Sequence, residues 1–135
     1  GMNRAINRHR WDYPALNALL ADPATPQARV LAALSERLRT RAKQSAFHPN
    51  ATQFTMTLDD RVFGVWRQSL DRHQSLFALH NVSDQTVEVA PTSMNLIEDE
   101  TWVDLLSGDT IDLTQDAITL APYQCRWITN RPHAS

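Results

Sequence analysis

The 135 residues hold a single cysteine, Cys125, so no disulfide can close within the chain. Glycine is nearly as scarce, and three residues leave nothing from which to build a glycine-rich phosphate loop. No apolar run approaches the roughly 18 residues that span a bilayer as a helix. Nor does a charged-then-apolar leader open the chain, so the expected location is the cytoplasm, with no membrane partner. A formal net charge of −2 argues against a nucleic-acid partner.

Motifs for metal and nucleophile chemistry are missing as well. His9, His48, His73, His80 and His133 form no HxH, HExxH or His/Cys spacing able to close a zinc site. No serine elbow is present. The sequence therefore implies no metal and no cofactor. Asn50-Ala51-Thr52 and Asn81-Val82-Ser83 match the glycosylation triplet, but without a secretory signal both read as chance. Gly1-Met2 looks like a tag remnant ahead of a start methionine.

What is present is an ordinary globular composition, 42% hydrophobic and 21% charged, enough for one domain with a real core. Asp12-Tyr13-Pro14 places an N-cap before a proline, predicting two helical turns from Pro14 to Ala21 that Asp22-Pro23 stops. Thr25-Pro26 repeats the start signal. From Pro26 to about Gln44, Val30, Leu31, Leu34 and Leu38 recur at helical spacing with charge on the other faces. Arg39, Arg41 and Lys43 suit the negative end of that helix, and they read as a solvated helix end rather than a nucleic-acid patch.

After Ala51 the period changes to that of strands. Gln53 to Leu58, Val62 to Ser69, Ser75 to Val82 and Thr86 to Ala90 are predicted as successive antiparallel hairpins. In Leu76-Phe77-Ala78-Leu79 both alternating sets are apolar, so that strand should be covered on both faces. Trp102 to Leu106, a short Thr110 to Leu113, and Ala117 to Ile128 complete about seven strands, the count of a β-sandwich or Greek key. In the last of them the apolar phase slips by one at Ala121-Pro122, which predicts a bulge.

Candidate chemistry is thin. Asp59-Asp60 and Glu98-Asp99-Glu100 are paired carboxylates, but they lie in predicted turns, where solvated acids are the rule. Trp66 and Trp102 are candidates for a sugar-stacking platform, and Trp127 shares their strand setting; core packing is the competing reading. Cys125, among strand apolars, reads as a buried small hydrophobe.

Several segments together carry a family resemblance. Arg4-Ala5-Ile6-Asn7-Arg8-His9 resembles the "GR-x-INRH" stretch near the end of the catalytic barrel in sucrose phosphorylases and related enzymes of the α-amylase superfamily. "LRTRAKQSAFHPNA" is similar to the exit of the family's final barrel helix. "ALHNVSDQ", "WVDLLSG" and "ITLAPYQCRWI" are similar to strands of its C-terminal β-domain, above all in the sucrose- and glucosylglycerate-phosphorylase branch. Asn3 departs from the glycine usual there.

The resemblance implies a fold that is mainly β with an N-terminal helical segment: an antiparallel β-sandwich over 47–135, preceded over 1–46 by the end of a catalytic barrel. It implies that Arg4, in the context of a full barrel, helps hold glucosyl hydroxyls, a task suited to a planar guanidinium. It also implies that the aspartate nucleophile and glutamate acid/base lie on barrel strands ahead of residue 1. No catalytic residue is then expected here, and the chain by itself should be inactive. The expected role is structural or oligomeric, with the barrel of a parent enzyme or a second copy of the chain as partner. A stand-alone carbohydrate-binding sandwich is the alternative.

Overall fold

The computed structural model describes residues 10–94, 96, 100–114 and 117–130. Two compact units divide the chain, Gly1–Arg39 and Thr40–Ser135. In the first, helix α1 spans Tyr13–Ala21 and starts where Asp12 accepts a hydrogen bond from the Ala15 amide at 3.3 Å. Asp22 ends it, and Thr25 then opens helix α2, Pro26–Ala42, by accepting from the Ala28 amide at 3.2 Å. Both helices thus begin at the capping residues the sequence offers. Along α2 only Ala28 is buried. Val30, Leu31, Leu34 and Leu38 are 48 to 66% exposed.

In the second unit a short 3-10 turn, Ser45–Phe47, leads into eight described strands. They are β1 Thr52–Met56, β2 Val62–Gln68, β3 Ser75–Asn81, β4 Val87–Val89, β5 Trp102–Asp104, β6 Thr110–Ile111, β7 Ile118–Leu120 and β8 Cys125–Thr129. Six form one antiparallel sheet in the order β1-β2-β3-β8-β5-β6, and β4 with β7 forms a second. The expected mainly β, antiparallel two-sheet architecture behind an N-terminal helical segment is what the chain adopts.

Strand β3 lies at the centre and is covered on both faces, as its double apolar pattern predicts. Phe77 and Leu79 join Val62, Val87, Val89, Met94, Trp102, Ile118, Leu120 and Ile128 in the core between the sheets. Leu76 and Ala78 point the other way, under Ala46, with Phe47, Leu105 and Trp127 alongside. At Gly64 of β2, an added Cβ would stand 2.7 Å from Leu58 Cδ1, so the end of the Leu58 side chain would have to shift to admit it.

Two sequence expectations are corrected. The first three strands do form successive hairpins, but β4 does not pair with β3; it crosses to the second sheet and pairs with β7. The run Ala117 to Ile128 is also not one bulged strand. It is β7 in the small sheet and β8 in the large one, separated by a turn at 121–124. Pro122 has no amide to donate there, and Tyr123 takes a left-handed conformation, φ 57°, which ends one strand and redirects the chain instead of slipping its register. Asn81 fastens this crossing. Nearly buried, its side-chain amide reaches the carbonyls of Leu120 at 3.2 Å, Ala121 at 3.0 Å and Gln85 at 2.6 Å. The glycosylation triplet at Asn81 is thereby closed to modification.

A buried polar cluster joins the 3-10 turn to the large sheet. The Gln74 side-chain Oε1 accepts from Ser45 Oγ at 3.0 Å and the Ala46 amide at 2.8 Å, while its Nε2 donates to Gln44 Oε1 at 2.7 Å and Thr129 Oγ1 at 3.1 Å. All four capacities of one glutamine are used, so its burial carries no unpaired group.

Candidate functional site

Among the described residues, the sequence's candidates do not converge. Arg4 and His9 lie outside the described residues, as do Glu98, Asp99 and His133. Trp102 is 1% exposed, in the core, with its ring 5.8 Å from Phe77, so no face of it is open to a sugar. Trp66 is half-buried between Phe54 at 5.0 Å and Phe77 at 5.9 Å, the latter stacked. Both of its faces are therefore against phenylalanines. Its indole Nε1 is buried with no hydrogen-bond partner among the described residues, an exception to the pairing that buried tryptophan N–H groups usually find. Trp127 sits on the opposite face of the sheet, edge-on to Phe47 at 5.1 Å.

Of the acidic candidates, Asp59 and Glu100 make structural contacts. Asp59 receives the Arg61 guanidinium through Nε at 2.8 Å and Nη2 at 2.9 Å, and the Arg61 amide at 2.9 Å. This closes the turn between β1 and β2. The side-chain hydrogen bond from Arg61, then that from its amide, hold the Asp59 carboxyl well below the usual carboxylate range, and Asp59 raises Arg61 in return. Because the folded state depresses the carboxyl, the stability it adds is full above the ordinary aspartate value of about 3.9 and is lost as pH falls below it. Asp59→Asn is therefore expected to lower stability at pH 7 slightly and to flatten its fall between about pH 4 and pH 2. Urea midpoints across that range read this, and parallel acid limbs for both proteins would refute it. Glu100 accepts from Asn130 Nδ2 at 2.7 Å, which ties the approach to β5 to the end of β8.

Sequence reasoning passed over two pairings. Cys125 is half-buried rather than enclosed, and its Sγ lies 3.1 Å from His80 Nδ1, directly across the β3–β8 ladder. Strand periodicity placed each residue on its strand, but only the pairing of β3 with the distant β8 brings them together. Asp104, fully buried at the end of β5, accepts from the amides of Leu106 at 3.1 Å and Trp127 at 3.0 Å, from Ser107 Oγ at 2.9 Å, and from Arg126 Nη1 at 3.4 Å. It holds the "DLLSG" turn, in which Gly108 takes φ 81°, against β8. The acid-then-serine pattern of an Asx turn signalled this local half; the half supplied by β8 carries no local signal.

Among the described residues no three acidic, cysteine or histidine side chains gather as metal ligands. No described helix is long and apolar enough to cross a membrane. The geometry is thus that of a packed two-sheet scaffold with satisfied polar clasps.

Comparison with known proteins gives this scaffold its place. No protein-family model matches the chain. A glucosylglycerate phosphorylase of Spirochaeta thermophila is 31% identical over 137 residues, covering 96% of this chain and 23% of that protein. One from Allomeiothermus silvanus is 34% identical over 128 residues, covering 95% and 20%. One from Escherichia coli K12 is 31% identical, covering 95% and 21%. Among solved structures, AmyP in complex with maltose superposes with a TM-score of 0.62 at 21% identity, over 81% of this chain and 22% of that one, a likeness of fold. The chain spans 20 to 23% of the length of these curated relatives. Over nearly all of its own residues, it matches a C-terminal fragment of the glucosylglycerate phosphorylases.

Proposed function

We propose that this chain is a structural companion to the catalytic barrel of a glucosylglycerate phosphorylase-like glucosyltransferase, carrying no catalytic carboxylate itself. The observation that carries the reading is the open stripe of α2. Val30, Leu31, Leu34 and Leu38, each about half or more exposed, form an apolar face of the kind that marks an interaction surface. At 100° per residue, Arg37 borders this stripe on one side and the uncharged Ser35 on the other. Two antiparallel copies placed stripe to stripe would bring their Arg37 residues to the same edge, so the charge pattern favours a different partner, apolar with an acidic rim, over a second copy. The barrel implied by the resemblance is that partner in this reading.

The test is complementation. The chain is purified alone and co-expressed with the Escherichia coli relative truncated before the region it matches. Alone, it is expected to release no sugar phosphate from glucosylglycerate and phosphate, and to sediment as a monomer. Together, the two pieces are expected to co-purify and to regain phosphorolysis, and Leu34→Asp to abolish both. Turnover by the isolated chain, or failure of the pieces to associate, would overturn the reading.

A further inference from the structure

The end of α2 and the turn after it border an open hollow of about 430 Å³ lined by Arg41, Lys43, Phe47 and His48 together with Gln44 and Pro49, and by no acidic side chain. The Arg41 guanidinium lies over the Phe47 ring, 5.0 Å from its centroid, which fixes a cation at the rim. Beneath the same turn, Arg67 donates to the Ala46 carbonyl at 2.7 Å through Nε and to the His48 carbonyl at 2.8 Å through Nη2. These partners are neutral, so they hold the guanidinium in place without cancelling its charge.

Among the described ion pairs, Arg61–Asp59, His73–Asp71 and Arg126–Asp104, none involves Arg41, Lys43 or Arg67. Two permanent cations thus line one hollow, with Arg67 held against the carbonyls of the same turn, and no described carboxylate pairs with any of the three, in a chain whose formal charge is −2. The helix end above them is closed off. The Thr40 carbonyl accepts from the Lys43 amide at 3.3 Å and from Gln44 Nε2 at 3.2 Å, and the Arg41 carbonyl accepts from the Gln44 amide at 3.1 Å. The last carbonyls, which otherwise repel an anion, are partly spent. His48 Nδ1 accepts from the Asn50 amide at 3.1 Å, which leaves Nε2 as the ring's free donor.

We infer that this hollow is a binding site for a small phosphate, either inorganic phosphate or the phosphate group of a phosphorylated sugar. Arginine supplies a planar fork for two phosphate oxygens and lysine a point charge, and the fixed Arg67 charge behind them raises the local potential. The site does not depend on the barrel reading, because every residue in it belongs to the Thr40–Ser135 unit.

The experiment is an amide NMR titration of the full chain with inorganic phosphate, and separately with a hexose phosphate, at constant ionic strength made up with chloride. Saturable shifts centred on residues 41–49 are expected. Arg41→Gln and Lys43→Gln, both at exposed positions, are each expected to weaken binding by about tenfold or more while leaving the remaining amide shifts unchanged. Tighter binding of the hexose phosphate would identify a sugar phosphate as the ligand, and equal binding would identify the phosphate group alone. Shifts that do not saturate, that chloride reproduces, or that survive in both variants would overturn the inference.

Discussion

Trp102→Ala is expected to lower stability by about 3 to 5 kcal/mol and the melting temperature by roughly 15 to 25 °C, with no effect specific to sugars. The ring is 1% exposed and packs with Phe77, Ile128 and Leu120 between the two sheets. Removing it deletes the largest fully buried side chain of the protein and leaves a cavity that two hydrogen-bonded sheets cannot close cheaply. Denaturant unfolding monitored by circular dichroism measures the loss. A variant as stable as the parent, yet altered in its response to oligosaccharide, would return Trp102 to the role of a stacking surface and revive the carbohydrate-binding alternative.

The second large effect belongs to Asp104→Ala, expected to cost about 3 to 5 kcal/mol. The truncation orphans two amides, those of Leu106 and Trp127, and leaves Arg126, 16% exposed at its side chain, without its anion. Asp104→Asn keeps an oxygen where Oδ1 meets both amides, removes the charge, and puts an amide donor in place of the Oδ2 acceptor that faces Ser107 and Arg126. Its expected cost is smaller, about 1 to 2 kcal/mol. Urea unfolding of the two variants side by side separates the parts played by geometry and charge. Equal losses would show that the ion pair with Arg126, and not the clasp of amides, is what holds the turn.

The elements were legible in the sequence because their signals are local. Asp12 and Thr25 announce the helix starts, alternation marks β1, β2 and β3, and the doubly apolar Leu76–Leu79 foretells a strand covered on both sides. Sheet membership was not legible. Thr86 to Ala90 reads as a strand whichever sheet takes it, and the phase slip at Ala121-Pro122 fits a bulge as readily as a turn between sheets. A one-residue change of face reports that the backbone is interrupted, but not how far it is then redirected.

The same limit governs the candidate sites. The alternation that marked Trp66 and Trp102 could not say that phenylalanines would cover both faces of the first and that the core would enclose the second. His80 and Cys125 are 45 positions apart and meet only through the β3–β8 ladder. Arg41 and Lys43 read from the sequence as a solvated helix end; Arg67, which comes to lie beneath the same turn, is contributed by another strand altogether.

The order β1-β2-β3-β8-β5-β6 also sets a timetable. During synthesis the β1–β2–β3 meander can assemble from neighbouring segments, but the free edge of β3 must wait for Cys125–Thr129 to emerge before its ladder is completed. Until then the nascent chain presents an unpaired, largely apolar strand, the kind of edge that recruits other chains. Ribosomes stalled between β3 and β8 should therefore yield intermediates prone to aggregate, and release of β8 should suppress it.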